Sequence, residues 1–180
     1  MKKYLILFIL LLLPVLVGAK SVETNQFDYG GTYNDLFNSV ERTSDGGYIV
    51  VGSTKSKQIN EESTGVGNGL VVKYDKDGNV VWNKFYGGSA HEEFYDVIVV
   101  NDGYVAVGYT MSTDIEGLTN NGGNDGLVVK FDNNGNIVWQ TLIGGTGDDY
   151  IHAIREASNG NLVIVGRFAS DIGESTNNGG

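Results

Sequence analysis

The chain has 180 residues, with 12 Lys and Arg against 22 Asp and Glu, and a formal net charge of −10. A surface this acidic repels phosphate backbones, so nucleic acid is excluded as an expected partner. Cysteine is absent, so no disulfide stabilises the fold, and 27 glycines supply many sites for tight turns.

The first 19 residues have the organisation of a secretory signal peptide. Lys2 and Lys3 precede an uncharged run that ends at Val17, and the small residues Val17 and Ala19 fit the positions that signal peptidase accepts. We therefore expect cleavage after Ala19 and a mature protein that is secreted or held at the cell surface. An uncleaved membrane anchor is disfavoured, because the apolar run is shorter than the roughly 20 residues that a membrane-spanning helix needs.

Residues 20–29 form a short lead-in, after which the sequence repeats itself every 57 residues. The stretch YDKDGNVVWNKFYGG at 74–88 returns as FDNNGNIVWQTLIGG at 131–145. Alignment on the Gly-Gly pairs divides the chain into units 30–86, 87–143 and 144–180, the last of which is incomplete.

Each complete unit carries four predicted β-strands. β-branched and aromatic residues lie between glycine-rich breaks, and no useful 3.6-residue apolar period follows the signal, so helices should be nearly absent. The first unit has Leu36–Thr43, Tyr48–Thr54, Leu70–Asp75 and Asn79–Phe85. The second has Glu93–Val100, Tyr104–Thr110, Leu127–Asp132 and Asn136–Leu142, and the third has Asp149–Ala157 and Leu162–Phe168.

Four antiparallel strands in a unit of this length are typical of a β-propeller blade. The runs Ile49–Gly52 and Val105–Gly108 are apolar at successive positions, as strands buried on both faces require. The sequence therefore predicts an all-β fold with about two and a half blades, whereas a closed propeller takes roughly 4 to 8. We expect the remaining blades to come from a longer chain, of which this is the N-terminal fragment, or from self-assembly of several copies.

The recurring positions also resemble those of a known family. Each unit has Gly-Gly, an acidic residue a few places later, and a hydrophobic strand. A Gly-Ser-Thr or Gly-Tyr-Thr segment follows, and then Ser112 or Ser170. From Gly30 to Gly180 this pattern resembles the bacterial seven-bladed β-propeller repeat family of exported surface proteins. The resemblance implies a propeller scaffold that has many uses and does not specify a ligand.

Two kinds of repeated residue are predicted to have structural roles. Trp82 and Trp139 are expected to pack between neighbouring blades, each with an indole N–H that needs an acceptor; a sugar-binding aromatic platform is the alternative. Asp35, Glu92 and Asp149 follow the Gly-Gly pairs, and we expect their carboxylates to accept backbone N–H bonds that fix the start of a strand.

Two turns imitate the beginning of a calcium-binding loop. Asp75 and Asp77 lie in one turn, and Asp132 and Asn134 lie in its counterpart. We favour simple hairpin turns, because the distal bidentate glutamate of an EF-hand is missing and alternate side chains of a hairpin point to opposite faces. No cofactor is predicted, and calcium remains an alternative.

The loops Lys55–Asn68 and Met111–Asp125 are long enough to be expected sites of binding. The second loop holds five candidate ligands for calcium or for glycan hydroxyls: Asp114, Glu116, Asn120, Asn124 and Asp125. A solvated surface loop without a ligand is the competing interpretation.

No catalytic residue is predicted. The chain has two histidines, His91 and His152, and position 152 corresponds to Asn38 and Tyr95 in the other units, so neither histidine belongs to a recurring cluster. The leading interpretation is an exported noncatalytic propeller that binds an extracellular protein or glycan, for example in adhesion. Two alternatives stay open: the N-terminal part of a secreted propeller enzyme that acts on polysaccharide, and a purely structural spacer.

Overall fold

The computed structural model describes residues 29–56 and 66–169. The predicted signal peptide, part of the first long loop and the end of the third unit lie outside these ranges. The described residues form ten strands and no helix, which confirms the all-β prediction. Within these ranges, then, no helix has the length and apolarity to cross a membrane.

The strands form three antiparallel sheets, none of which closes on itself. Sheet 1 contains, in order, β1 (Asp35–Arg42), β2 (Tyr48–Thr54), β3 (Asn68–Tyr74) and β4 (Val80–Tyr86). Sheet 2 contains β5 (Glu92–Val100), β6 (Gly103–Thr110), β7 (Asp125–Phe131) and β8 (Ile137–Ile143). Sheet 3 contains β9 (Tyr150–Glu156) and β10 (Leu162–Arg167). All ten predicted strands are present, with boundaries that differ by at most about two residues.

The predicted hairpin turns are confirmed at the ends of β3 and β7. Gly78 and Gly135 adopt φ angles of 85° and 77°, a left-handed conformation that glycine reaches without the steric cost of a Cβ atom. Each turn is closed by a backbone hydrogen bond, from the N–H of Asp75 to Asn79 O (2.9 Å) and from the N–H of Asp132 to Asn136 O (2.8 Å).

Two apolar cores lie between the sheets and hold them face to face. The first lies between sheets 1 and 2 and includes Ile49 of β2 and Phe94 of β5. The second lies between sheets 2 and 3 and includes Val107 of β6 and Ile151 of β9. Because alternate residues of β6 belong to different cores, this strand is buried on both faces, as its continuous apolar sequence predicts.

In sheets 1 and 2, a buried lysine on the third strand binds an aspartate in the turn between the first two strands. Lys73 Nζ donates to Asp45 Oδ2 (2.8 Å), and Lys130 Nζ donates to Asp102 Oδ1 (2.6 Å). The hydrogen bond from Lys73 holds the pKa of Asp45 well below its usual range. Local sequence does not reveal these pairs, because the partners lie 28 residues apart in the chain.

The two tryptophans differ in their surroundings. Trp82 Nε1 donates to Asn133 O (3.1 Å) in the β7–β8 turn, and its ring centroid lies 6.0 Å from that of Tyr104. Trp82 therefore packs across two sheets with the expected acceptor. Trp139 occupies the same position in β8 but is 40% exposed, because sheet 3 contributes only two strands in the described part of the chain.

Candidate functional site

The first strand of every sheet contains a β-bulge at the same place. Asn38, Tyr95 and His152 are each skipped in the pairing of β1 with β2, β5 with β6 and β9 with β10. We call these three residues the bulge row. A bulge leaves its residue outside the regular pairing and redirects the side chain, and such bulges are often found next to functional sites.

A glycine on the neighbouring strand makes each bulge possible. A methyl group on Gly52 would lie 1.8 Å from Leu36 O, and one on Gly108 would lie 1.8 Å from Glu93 O. At Gly166 the corresponding distance, to Tyr150 O, is 1.9 Å. The recurring glycine at the end of each apolar run therefore admits the backbone of the first strand, and a side chain there would displace it.

The bulge row adjoins a cluster of tyrosine and histidine rings that joins sheets 2 and 3. Tyr109 of β6 lies at its centre, with ring centroids 5.6 Å from Tyr95 and 5.0 Å from Tyr150. His152 lies 5.4 Å from Tyr95 and is parallel to Tyr150 within 2° at 6.3 Å. These rings combine apolar faces with polar edges, as binding sites for amphipathic ligands commonly do.

Charged and polar groups border this cluster. Glu93 Oε1 accepts a hydrogen bond from Asn38 Nδ2 (2.9 Å), which connects the first strands of sheets 1 and 2 beside the bulge row. The ring of His91 bonds through Nδ1 to the Tyr109 hydroxyl (2.8 Å). Burial lowers the pKa of His91, so this imidazole stays neutral at pH 7, and burial raises the pKa of Tyr109. The cluster thus offers aromatic rings with the Glu93 side chain at their border.

Asp96 follows the bulge of β5 and links all three sheets. Its Oδ1 accepts from Ser39 Oγ of sheet 1 (2.8 Å), and its Oδ2 accepts from the backbone N–H of Ile154 (3.1 Å) and from Arg155 Nη1 (2.6 Å) in sheet 3. Burial alone would raise the pKa of Asp96, but the hydrogen bonds that it accepts outweigh burial and hold that pKa below its usual range. The link keeps the first strands, which carry the bulge row, side by side.

The repeated acids accept the predicted backbone hydrogen bonds. The Asp35 and Asp149 carboxylates accept from the N–H groups of Gly31 (2.6 Å) and Gly145 (2.8 Å). Glu92 accepts from Gly88 N–H at 3.2 Å.

Hydroxyl groups also donate to Asp35 and Glu92. Thr54 and Ser56 donate to Asp35, and Thr110 and Ser112 donate to Glu92. Burial nevertheless raises the pKa of Glu92, because its carboxylate is fully enclosed.

The five candidate ligands in the second long loop do not converge on one point. Asp114 Oδ1 accepts from Ser89 N–H (2.9 Å), and Asn120 Nδ2 donates to three carbonyls of its own loop and neighbouring strand. Asn124 Nδ2 donates to Asp148 Oδ1 and to the Tyr150 hydroxyl, both at 2.8 Å.

The other two candidates also lie apart. Glu116 contributes its carbonyl to Gln140 Nε2 (2.7 Å), and Asp125 is fully buried. Asn120 bonds within the loop and to the end of β6, whereas Asp114, Glu116 and Asn124 bond to residues outside the loop.

The four calcium candidates also lie in self-contained turns. Asp75 Oδ1 accepts from the N–H groups of Asp77 and Asn79, and Asp132 Oδ1 accepts likewise from Asn134 and Asn136. Side-chain bonds from Asn79 and Asn136 lower the pKa values of Asp75 and Asp132. Over the ranges 29–56 and 66–169, no three His, Asp or Glu side chains are grouped to hold a metal ion.

No protein-family model matches the chain, and a search of curated proteins finds no significant match. The signal that identifies the bulge row was present in the sequence as the correspondence of position 152 with Asn38 and Tyr95. Its significance depends on the bulges, which the sequence did not predict.

Proposed function

We propose that this chain contributes consecutive blades to a β-propeller. Sheets 1 and 2 have the same strand order, and β9 pairs with β10 as β1 pairs with β2. The second and third strands also share one register, in which Gly52 faces Leu70 and Gly108 faces Leu127. Equal sheets stacked face to face through apolar cores are the arrangement of propeller blades.

The outer side of sheet 3 supports the presence of further blades. Val163 and Val165 of β10 are 52% and 58% exposed, whereas their counterparts in β6, Val105 and Val107, are 1% and 0% exposed. Among the described strands, β10 pairs only with β9, so one edge of β10 is open. Blades from a longer chain or from other copies would cover these valines and pair this edge, which otherwise invites aggregation.

We infer that the propeller is an exported noncatalytic scaffold that binds an extracellular glycan or protein. The bulge row carries this proposal: one recurring backbone feature presents asparagine, tyrosine and histidine at equivalent positions. Residues that maintain the backbone recur in each unit, while the side chains displayed at the bulge differ. A rigid scaffold with a binding surface requires such a combination of constant backbone residues and variable displayed side chains. The predicted signal peptide supports export.

The test compares the mature chain with two variants that differ in the surface they alter. Tyr95→Ser combined with His152→Ser removes two rings of the bulge row, and Tyr48→Ser removes a partly exposed ring of β2 outside it. Each fluorescently labelled protein is applied to a printed glycan array and to the surface of producing cells. We expect binding by the parent chain and by Tyr48→Ser, and loss of binding by the double variant.

Two results would contradict the proposal. Binding that survives in the double variant would show that the bulge row is not the binding surface. Turnover of an arrayed glycan, abolished by a single carboxylate substitution, would instead favour the polysaccharide-acting enzyme.

A further inference from the structure

Two buried carboxyl groups meet where sheet 2 packs on sheet 3. Asp125 begins β7, Asp149 precedes β9, and both side chains are fully buried. Asp125 Oδ2 accepts from Asn121 N–H (3.0 Å), but Asp125 Oδ1 has no hydrogen-bond partner. A methyl group on Gly144 would lie 2.5 Å from this Oδ1 and 2.9 Å from Asp149 Oδ2, so the two oxygens lie beside the same point of the backbone.

The equivalent junction between sheets 1 and 2 has the same arrangement with different chemistry. Asn68 replaces Asp125 there, Glu92 replaces Asp149 and Gly87 replaces Gly144. A methyl group on Gly87 would lie 1.8 Å from Glu92 Oε2 and 3.0 Å from Asn68 Nδ2. In that junction the atom beside the carboxylate is an amide nitrogen, which is a hydrogen-bond donor.

We propose that the Asp125 carboxyl is protonated on Oδ1 in the folded chain and donates a hydrogen bond from this oxygen to the Asp149 carboxylate. The protonated Oδ1 of Asp125 then acts as a hydrogen-bond donor, as Asn68 Nδ2 does in the junction of sheets 1 and 2. The Asp149 carboxylate is the acceptor for this buried atom, which otherwise has no partner. This bond holds sheet 2 against sheet 3, and its strength depends on pH. This inference does not depend on the proposed binding function.

The surroundings of Asp125 favour the protonated form. Burial raises its pKa, the hydrogen bond from Asn121 N–H lowers it, and the charge of Asp149 raises it again. Asp148 and Tyr150 flank Asp149 in the chain, and both bond to Asn124, the residue before Asp125. On β6 the residue paired with Asp125 is the uncharged Thr110, whose hydroxyl donates to Glu92. In the described ranges no cation pairs with Asp125.

The sign of the pH effect follows from the raised pKa. The folded chain binds this proton more tightly than the unfolded chain, so the stabilisation is fully present below the ordinary aspartate pKa of about 3.9. It is lost as the pH rises through the folded-state pKa of Asp125. Above that pH two carboxylates face each other in a buried site, and the junction loosens.

Reciprocal substitutions exchange the chemistry of the two junctions. Asp125→Asn supplies the amide donor found at position 68, and Asn68→Asp introduces a second carboxyl beside Glu92. The carboxyl ¹³C resonances of the mature wild-type chain and of Asp125→Asn are followed by NMR as the pH is raised, with and without Ca²⁺. Urea unfolding of all three proteins is measured over the same pH range.

We expect one wild-type aspartate to titrate above the usual aspartate range and to be absent from Asp125→Asn. We also expect Asp125→Asn to lose less stability than wild type as the pH rises, and Asn68→Asp to lose more. An Asp125 resonance that titrates within or below the usual range would overturn the proposal. So would a Ca²⁺-dependent shift of that resonance, because it would show a cation in place of the proton.

Discussion

Replacement of Asp96 by alanine tests how strongly the three sheets are linked. The side chain is only 12% exposed, and its loss leaves the N–H of Ile154 buried without an acceptor, at a cost of about 1 to 3 kcal/mol. Loss of the bond from Ser39 adds about 1 kcal/mol. Arg155 is 69% exposed, so its ion pair adds less than about 1 kcal/mol. We expect a total loss of about 3 kcal/mol.

The assay is urea unfolding of the mature chain at pH 7, followed by tryptophan fluorescence and by circular dichroism so that two-state behaviour can be checked. Ser39→Ala and Arg155→Gln are the matched controls, each of which removes one donor and is expected to cost no more than about 1 kcal/mol. An Asp96→Ala penalty no larger than that of Arg155→Gln would refute the argument that the buried N–H dominates.

The Asp96 penalty should also depend on pH. The pKa of this carboxyl is lowered in the folded state, so its stabilisation is present above the ordinary aspartate pKa of about 3.9 and is lost as the pH falls through the folded-state value. Unfolding measured in acid should therefore show a smaller difference between wild type and Asp96→Ala. A penalty that stays constant into acid would indicate that lost packing, rather than the charge, explains the effect.

Further predictions concern the two tryptophans and the bulge of β5. Trp82→Phe removes the bond to Asn133 O and should lower the free energy of unfolding by about 1 to 2 kcal/mol. Trp139→Phe should change it by less than about 0.5 kcal/mol in the chain alone, and equal losses would contradict this. Gly108→Ala forces a methyl group against Glu93 O and should cost more than about 3 kcal/mol in thermal or urea unfolding; tolerance of alanine would show that the β5 bulge is adaptable.

The positions of the strands were predictable because each depends on a local pattern. Runs such as Val105–Gly108 are apolar, glycine-bounded and too short for a helix, and they recur, so one correct assignment supports the next. The turns at Gly78 and Gly135 were predictable for the same reason, since a tight turn specifies glycine within a few residues.

The links between sheets were not predictable from local patterns. The Lys73–Asp45 pair and the bonds to Asp96 depend on which residues face each other after the strands pair and the sheets stack. An aspartate directly before the apolar run 97–100 is the visible signal for Asp96, but its partners lie 57 to 59 residues away in both directions. Nothing in its immediate sequence identifies them.

The bulge row shows why comparison between units is more informative than the search for a reactive cluster. His152 taken alone is a histidine close to Asp148 and Asp149 in the sequence, and it belongs to no recurring cluster. Placed beside Asn38 and Tyr95, it is one of three chemically different side chains on an identical backbone feature. The constant part of that feature is the facing glycine, which controls how closely the strands approach. The close approach of the two strands requires the glycine, whereas the residue at the bulge lies outside the regular pairing and its side chain can therefore differ from unit to unit.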